Sequence, residues 1–362
     1  MNAKAAVFMG IRTPFDIREF PVTATPAGYG RSDLIASGVC GTDLHFYRGG
    51  LITTPPTVIG HEFVGKLTDC DPAEAEKYGL AIGDNVIADI AVPCGECLLC
   101  KTGDDANCVN MGVTNGGSIE EAPYLWGGYA EVNYTPLANL VKIPEGLDPT
   151  AVAVFACPGP TAMHAFRLGE QAGLDWSQIK VAVVQGAGPV GSYAAMYMKT
   201  KGAEKVCVIA KNISPEREAL LRKLGVDEVY DLATDENVTA KLQAENAGLG
   251  VDLCYEASGA PNAFPQGMNI LRNRGIYLVP GQYSNSGCIE IQPQLITFKA
   301  VRIIGSSQYS MIDVKDYLAF LTAHPALAAC IRGLATCYPV TETNKAFEDA
   351  LAGKNIKTVL VK

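Results

Sequence analysis

The hydrophobic pattern divides the chain into three parts with different periodicities. Up to about residue 150, short β-type runs separated by Gly and Pro are typical of a small, partly closed barrel. From residue 179, apolar strands alternate with amphipathic helical segments, and this βαβ rhythm predicts a parallel sheet with helices on both faces. Residues 300–362 leave the pattern, with two strand-like runs separated by helical stretches. The predicted strands are 5–8, 32–36, 63–67, 85–91, 129–133, 140–143, 180–185, 206–210, 226–231, 251–258, 275–281, 302–308 and 355–362; the predicted helices include 192–202 and 216–225.

Charge and hydropathy narrow the class of partner. The 29 basic and 38 acidic residues give a net charge of −9, which argues against nucleic acid and against an anionic membrane surface. The longest apolar run, 151–157, is far shorter than a membrane span. The N-terminal residues MNAKAAVFMG lack the apolar stretch of a signal peptide. We therefore expect a soluble, cytoplasmic protein whose partner is a small molecule.

Four of the twelve cysteines form one cluster with the spacing C-x2-C-x2-C-x7-C. These are Cys94, Cys97, Cys100 and Cys108. In a reducing compartment, clustered thiols indicate metal ligands, and four thiolates suit a closed, structural zinc site. A ferredoxin-type iron–sulfur run needs three residues and not seven before its last Cys, with Pro after it, and here Val109 follows. Haem attachment needs a His where Lys101 stands.

A second candidate metal site is indicated by two Gly-flanked segments. GVCGTDLHFYRGG (38–50) carries Cys40, Thr42, Asp43 and His45, and IGHEFVG (59–65) carries His61 and Glu62. A Cys and a His with a nearby carboxylate suit zinc with an open coordination position. From the spacing alone, these side chains could equally be core residues that bind no metal and make their hydrogen bonds within the protein.

GAGPVG is a G-x-G-x-x-G turn between a predicted strand and a predicted helix. In this context, its glycines permit a tight turn and close approach of the backbone to a pyrophosphate, which the helix N-terminus then stabilises. The predicted dinucleotide-binding residues of this turn are Gly186, Gly188, Pro189, Val190 and Gly191.

Taken together, these motifs resemble the zinc-containing medium-chain dehydrogenases and reductases, a family that includes alcohol, polyol and threonine dehydrogenases. The matching segments are GVCGTDLH, GHEFVG, the four-cysteine loop, GGYAEV (127–132), CPGPTA (157–162), GAGPVG and NIKTVLVK (355–362). The resemblance implies an α/β fold in which a Rossmann domain, 156–299, is inserted into a GroES-like catalytic domain formed by 1–155 and 300–362. It also implies a homodimer or homotetramer.

The resemblance assigns roles to individual residues. It makes Cys40, His61 and Cys157 the catalytic zinc ligands, and Glu62 a carboxylate behind the metal that can enter its coordination sphere. Asp43 would orient the ligand histidine, Thr42 would bridge the substrate hydroxyl to the cofactor ribose, and His45 would pass the proton to solvent. Two zinc ions per subunit follow, one catalytic and one structural.

The implied reaction is hydride transfer between an alcohol and NAD or NADP, giving a ketone or aldehyde. PGQYSNSGCIEIQP (280–293) resembles relatives that act on secondary or cyclic alcohols. The alternatives are a zinc-bearing relative acting on an activated double bond or a cyclic hydroxyacyl thioester, and a non-catalytic protein that retains cofactor binding.

The second strand of the dinucleotide domain bears on the choice of cofactor. NAD-specific folds place an acidic residue there to bind the ribose hydroxyls. This chain has Lys211 and Asn212 at the strand end and Arg217 one helical turn further on. We therefore predict NADP use or dual specificity; the alternative is that Asn212 binds the ribose of NAD.

Overall fold

The computed structural model describes all 362 residues, which form two compact units. Unit 1 comprises Met1–Pro160 and Gln308–Lys362, and unit 2 comprises Thr161–Ser307. The chain leaves unit 1 and later returns to it, in agreement with the predicted insertion of one domain into another. None of the helices combines the length and apolar character that crossing a bilayer requires.

Eighteen strands and fourteen α-helices make up the fold. The strands are β1 Asn2–Phe8, β2 Asp16–Pro21, β3 Tyr29–Gly38, β4 Thr57–Val58, β5 Glu62–Cys70, β6 Asn85–Ala88, β7 Ala91–Val92, β8 Gly112–Val113, β9 Val132–Pro136, β10 Leu140–Lys142, β11 Val181–Gln185, β12 Lys205–Ala210, β13 Glu228–Asp231, β14 Val251–Glu256, β15 Leu271–Val279, β16 Arg302–Gly305, β17 Ala335–Pro339 and β18 Lys357–Val361. The helices are α1 Gly41–Arg48, α2 Pro72–Glu76, α3 Leu98–Lys101, α4 Pro149–Val154, α5 Pro158–Gln171, α6 Pro189–Thr200, α7 Pro215–Lys223, α8 Val238–Gln243, α9 Glu245–Gly248, α10 Ala263–Ile270, α11 Gln294–Lys299, α12 Met311–Ala323, α13 Pro325–Arg332 and α14 Thr343–Leu351.

Unit 1 is built on a mainly antiparallel sheet. Its main path runs β10-β6-β5-β3-β18-β17, and β9 pairs with β3. A three-stranded sheet, β2-β1-β4, and the small β7-β8 ribbon complete the unit. Side chains of β3 alternate between buried and half-buried positions, as expected for a strand with one face on the core. The C-terminal strand β18 lies between β3 and β17, so the segment that returns to unit 1 shares a sheet with strands from the first part of the chain.

Unit 2 contains a six-stranded sheet in the order β13-β12-β11-β14-β15-β16, with every neighbouring pair parallel. If its strands are numbered in chain order, this is 3-2-1-4-5-6, the Rossmann order. The order reverses between β11 and β14, and ligands of such sheets bind beside the carboxyl ends of the strands at this point. The α/β fold predicted from the sequence is confirmed.

Some elements differ from those predicted. The strand β2 was not predicted, because it is an edge strand with five of its six side chains exposed or half-buried and lacks an apolar alternation. The segment 38–50, for which no helix or strand was predicted, carries the helix α1. The strand β15 begins at Leu271, directly after the helix α10 and four residues before the predicted strand 275–281.

Candidate metal and dinucleotide sites

Unit 1 brings Cys40, His61, Glu62 and Cys157 together. One ligand atom from each of these side chains lies within 4.8 Å of the others, and the two thiol sulfurs are 3.9 Å apart. Each residue stands at the end of an element: Cys40 is the N-cap of α1, His61 precedes β5, Glu62 begins β5 and Cys157 precedes α5. Element ends allow side chains from distant parts of the sequence to converge on one point.

Asp43 connects two members of this cluster. Its carboxylate is fully buried; Oδ2 accepts a hydrogen bond from the Cys40 backbone N–H at 2.9 Å, and Oδ1 lies 3.5 Å from Nδ1 of His61. The hydroxyl of Tyr129 donates a second hydrogen bond to Oδ2, at 2.8 Å. Burial and the Asp43 charge raise the pKa of Tyr129 well above its usual range, so its hydroxyl keeps its proton and remains a donor.

Glu62 is paired with a buried lysine from the C-terminal strand. Nζ of Lys357 lies 2.5 Å from Glu62 Oε2 and donates to the Val39 carbonyl at 3.1 Å. Burial by itself lowers the pKa of Lys357, but the charges of Glu62 and Cys40 leave it raised, so the ammonium is kept. Gly38 makes room for this pair, because a Cβ at that position would lie only 2.8 Å from Lys357 Cε and closer still to the Glu62 carboxylate.

The donor set fits zinc. Zinc–sulfur bonds of about 2.3 Å in tetrahedral geometry put two thiolates about 3.8 Å apart, close to the 3.9 Å between Cys40 and Cys157. Glu62 Oε1 is buried without a hydrogen-bond partner, which leaves a carboxylate oxygen for a cation. Three ligands of the Cys and His type beside a carboxylate match a site with an exchangeable position.

Thr42 and His45 lie on α1, next to the cluster. Thr42 Oγ1 is 3.7 Å from the Cys40 sulfur. The two side chains are three residues apart, so they lie on the same face of the helix, and both are half-buried. Burial and the charge of Arg48 lower the pKa of His45 below its usual value, so its imidazole is neutral at pH 7.

The four cysteines of the second cluster also converge. Their sulfurs all lie within 4.8 Å of one another, with Cys97 at 3.5 Å from Cys100 and 3.9 Å from Cys108. None of the twelve cysteines forms a disulfide. Backbone N–H groups of Cys100 and Val109 lower the pKa of the Cys97 thiol to about 6, which favours the thiolate that a metal requires. Four sulfurs at these separations fit a closed tetrahedral zinc site.

In unit 2, the glycine turn 186–191 connects β11 to α6. Gly186 has a φ of +107°, which favours glycine, and Gly188 is the N-cap of α6, with Pro189 and Val190 as its first residues. At Gly191, a Cβ would lie 1.9 Å from the Gly186 carbonyl oxygen, so only glycine permits this tight turn. The N-terminus of α6 thus offers its backbone N–H groups to an anion.

Arg217, from α7, lies against this turn. Its Nη1 donates to the Ala187 carbonyl at 3.3 Å. Lys211 and Asn212 are exposed at the end of β12, and the Asp231 carboxylate accepts the N–H groups of Asn212 and Ile213, both at 2.9 Å. Asp231 thereby fixes the loop that carries two of the predicted cofactor residues.

Three residues of these sites were missed by sequence reasoning: Tyr129, Asp231 and Lys357. Each carried a signal. Tyr129 lies inside the GGYAEV segment, and Lys357 is a cation directly before Thr358 and the apolar run Val359–Val361. Asp231 ends a short strand beside the expected ribose position. In all three, the partner is far away in the sequence, so only the folded chain identifies the contact.

Comparison with known proteins identifies the family. Residues 33–145 match the alcohol dehydrogenase GroES-like domain, and residues 189–323 match the zinc-binding dehydrogenase domain. The chain is 30% identical to 5-exo-hydroxycamphor dehydrogenase of Pseudomonas putida, over 99% of this chain and 98% of that protein. It is 31% identical to L-threonine 3-dehydrogenase of Rhizobium rhizogenes, over 74% and 73% of the two chains. The crystal structure of an alcohol dehydrogenase from Thermotoga maritima superposes with a TM-score of 0.89 and 27% identity, covering 100% of this chain and 99% of that one. This chain therefore belongs to the zinc-dependent medium-chain alcohol and polyol dehydrogenases, and it is an oxidoreductase of alcohols that uses zinc and NAD or NADP.

Proposed function

We propose that this enzyme interconverts a secondary or cyclic alcohol and its ketone. The observation that carries the proposal is the convergence of Cys40, His61 and Cys157, with Glu62 beside them, in one buried cluster. The substrate class is supported by a relative that matches nearly the whole chain, whose name specifies a hydroxylated camphor, a cyclic alcohol. The segment 280–293 resembles relatives that act on such substrates, which points the same way.

In this proposal, Cys40, His61 and Cys157 hold a catalytic zinc, and the four-cysteine cluster holds a structural one. When bound, the catalytic zinc polarises the substrate oxygen, and the dinucleotide gives or takes the hydride. Asp43 holds His61 in one orientation and supports its basicity as a ligand. Glu62 lies beside the ligands, where burial raises its pKa to about 8, and the paired ammonium of Lys357 opposes this rise and favours the carboxylate.

Proton transfer is assigned to α1. During alcohol oxidation, the Thr42 hydroxyl accepts the proton of the substrate hydroxyl and donates its own towards His45. His45 can receive it because its lowered pKa keeps the imidazole neutral at pH 7. Its partial exposure lets the proton pass on to solvent.

The dinucleotide is assigned to unit 2. The backbone of Gly186, Gly188, Pro189, Val190 and Gly191 would hold the pyrophosphate. Lys211, Asn212 and Arg217 would surround the adenosine ribose, where the two cations favour a 2′-phosphate. NADP, or both dinucleotides, is therefore the proposed cofactor.

We also propose a homodimer or homotetramer located in the cytoplasm. The strand β16 ends the unit 2 sheet and leaves one edge open to pairing, and Phe298, just before it, is 78% exposed. Twelve unbridged cysteines suit a reducing compartment.

The test is reduced-cofactor absorbance with matched primary, secondary and cyclic alcohols, before and after zinc removal by a chelator. We expect turnover with secondary or cyclic alcohols, and its loss on chelation. Cys40→Ser should abolish turnover while dinucleotide binding, followed by fluorescence, persists. Turnover restricted to primary alcohols would contradict the proposed substrate class, and unchanged turnover of Cys40→Ser would contradict the ligand assignment.

A further inference from the structure

Tyr129 is connected to the ligand cluster through Asp43, which contacts two of the proposed zinc ligands. Asp43 accepts hydrogen bonds on Oδ2 from the Tyr129 hydroxyl, at 2.8 Å, and from the backbone N–H of Cys40, at 2.9 Å. Its other oxygen, Oδ1, faces Nδ1 of His61 at 3.5 Å. With Oδ2 fixed by two donors, the carboxylate can present only Oδ1 to the imidazole.

The backbone and ring of Tyr129 are themselves held in place. Its N–H donates to the Ile59 carbonyl at 3.1 Å, and its carbonyl accepts from the Ala6 N–H at 2.9 Å. The ring lies against Gly60, the residue before His61, where a Cβ would be 2.4 Å from the ring. Tyr129 is fully buried and packs edge-to-face against Phe347 with ring centroids 5.9 Å apart. The hydroxyl therefore has one position, determined by contacts on both sides of the His61 segment.

We propose that Tyr129 is a positioning residue for the zinc ligand His61: its hydroxyl fixes the rotamer of Asp43 and thereby strengthens zinc binding at this site. The proposal rests on the ligand set given under Proposed function. An imidazole that donates Nδ1–H to a fixed carboxylate leaves Nε2 as the metal-binding nitrogen, with a defined ring orientation. Without the phenol, Asp43 loses one of its two Oδ2 donors and can rotate away from His61.

The test compares zinc release from three zinc-loaded proteins: the wild type, Tyr129→Phe and Tyr134→Phe. Tyr129→Phe removes one oxygen and keeps the ring. Tyr134 is an equally buried tyrosine of unit 1 whose hydroxyl donates to the Thr23 carbonyl at 2.9 Å, so its substitution removes the same group away from the cluster. Release into a colorimetric chelator is followed in time and counted in equivalents of zinc per chain.

We expect Tyr129→Phe to release one zinc about 10- to 100-fold faster than the wild type, the effect typical of losing an outer hydrogen-bond partner. The second zinc should leave at the wild-type rate, and Tyr134→Phe should behave as the wild type. Release of both zincs at unchanged rates would overturn the proposal. Acceleration of both zincs, or the same acceleration in Tyr134→Phe, would also overturn it, because this indicates general loosening of the unit.

A double substitution tests the route of the effect. If Tyr129 acts through Asp43, Tyr129→Phe should add nothing in an Asp43→Asn background, whereas additive effects would contradict the relay. His61→Ala separates this inference from the proposal on which it rests. If His61→Ala keeps both zincs, the ligand set is wrong; if it loses one and Tyr129→Phe retains wild-type release, only the role of Tyr129 is wrong.

Discussion

Lys357 and Glu62 form an ion pair with a 2.5 Å N–O separation, and neither side chain is more than 1% exposed. The pair joins the last strand of the chain to the first residue of β5, beside the proposed zinc ligands. Removing two charges from water is costly, and close pairing with further hydrogen bonds is what offsets this cost. The Val39 carbonyl supplies one such bond to Lys357, and Gly38 provides the space.

Lys357→Met should therefore destabilise the protein strongly. The substitution leaves a buried carboxylate without its counter-charge, and breaking a buried pair in this way costs about 3–5 kcal/mol. Urea unfolding of the zinc-loaded protein measures the change. The double variant Glu62→Gln/Lys357→Met is the control, because it removes both charges and should recover part of the loss. If the free energy of unfolding of Lys357→Met falls by less than about 1 kcal/mol, the pair contributes no more than a solvent-exposed ion pair does.

Cys97→Ser should lower thermal stability and the zinc content together. The four-cysteine cluster ties short segments with little secondary structure into one loop, so that zinc binding there contributes directly to folding. We expect one zinc per chain in place of two, and a lower melting temperature. Cys337→Ser is the matched control, since Cys337 is an exposed thiol outside both clusters. A Cys97→Ser variant that melts with the wild type would exclude a structural role for the loop.

His45→Ala should slow alcohol oxidation most near neutral pH. The pKa of His45 is lowered by burial and by Arg48, so the imidazole is neutral at pH 7 and accepts a proton; below that lowered pKa it is protonated and cannot. The difference between wild type and variant should therefore shrink in acid, and should shrink again at high pH, where hydroxide replaces the imidazole. Steady-state rates across about pH 6–9 measure this profile.

Zinc content provides the control for His45→Ala, because a residue that only carries protons leaves it unchanged. Full activity of the variant throughout this pH range would remove His45 from the mechanism. Loss of one zinc would instead make it a metal-site residue.

The sequence predicted the parts of the fold whose signals are local. The Rossmann sheet follows from apolar strands that alternate with helices, and the glycine turn is where its spacing predicts. The four-cysteine cluster could be proposed from spacing because its ligands lie within one loop. Such patterns depend only on residues that are close together along the chain, so a single sequence is enough to recognise them.

Contacts between distant segments were not predictable in the same way. Cys157 lies 117 residues after Cys40, and only the family resemblance singled it out. Lys357 and Tyr129 could not be assigned a role from the sequence. Their partners lie on distant segments, and the contact is seen only when strands from different parts of the chain pair. The edge strand β2 was not predicted because it buries few of its side chains and therefore lacks a clear apolar pattern.

The choice of dinucleotide gives the last prediction. Arg217 lies against the glycine turn through its contact with the Ala187 carbonyl, and Lys211 is exposed at the end of β12, so a 2′-phosphate would meet positive charge. We expect NADP to be used with a kcat/KM at least comparable to that for NAD. Arg217→Ala should lower kcat/KM for NADP about tenfold, or about 1.4 kcal/mol, and affect NAD less. Arg222→Ala is the matched control, because Arg222 lies on the same helix but pairs with Glu218, and it should leave the ratio of the two cofactors unchanged. A wild-type preference for NAD above about a hundredfold, or about 2.7 kcal/mol, would mean that Asn212 binds a plain ribose and that these cations are surface charges.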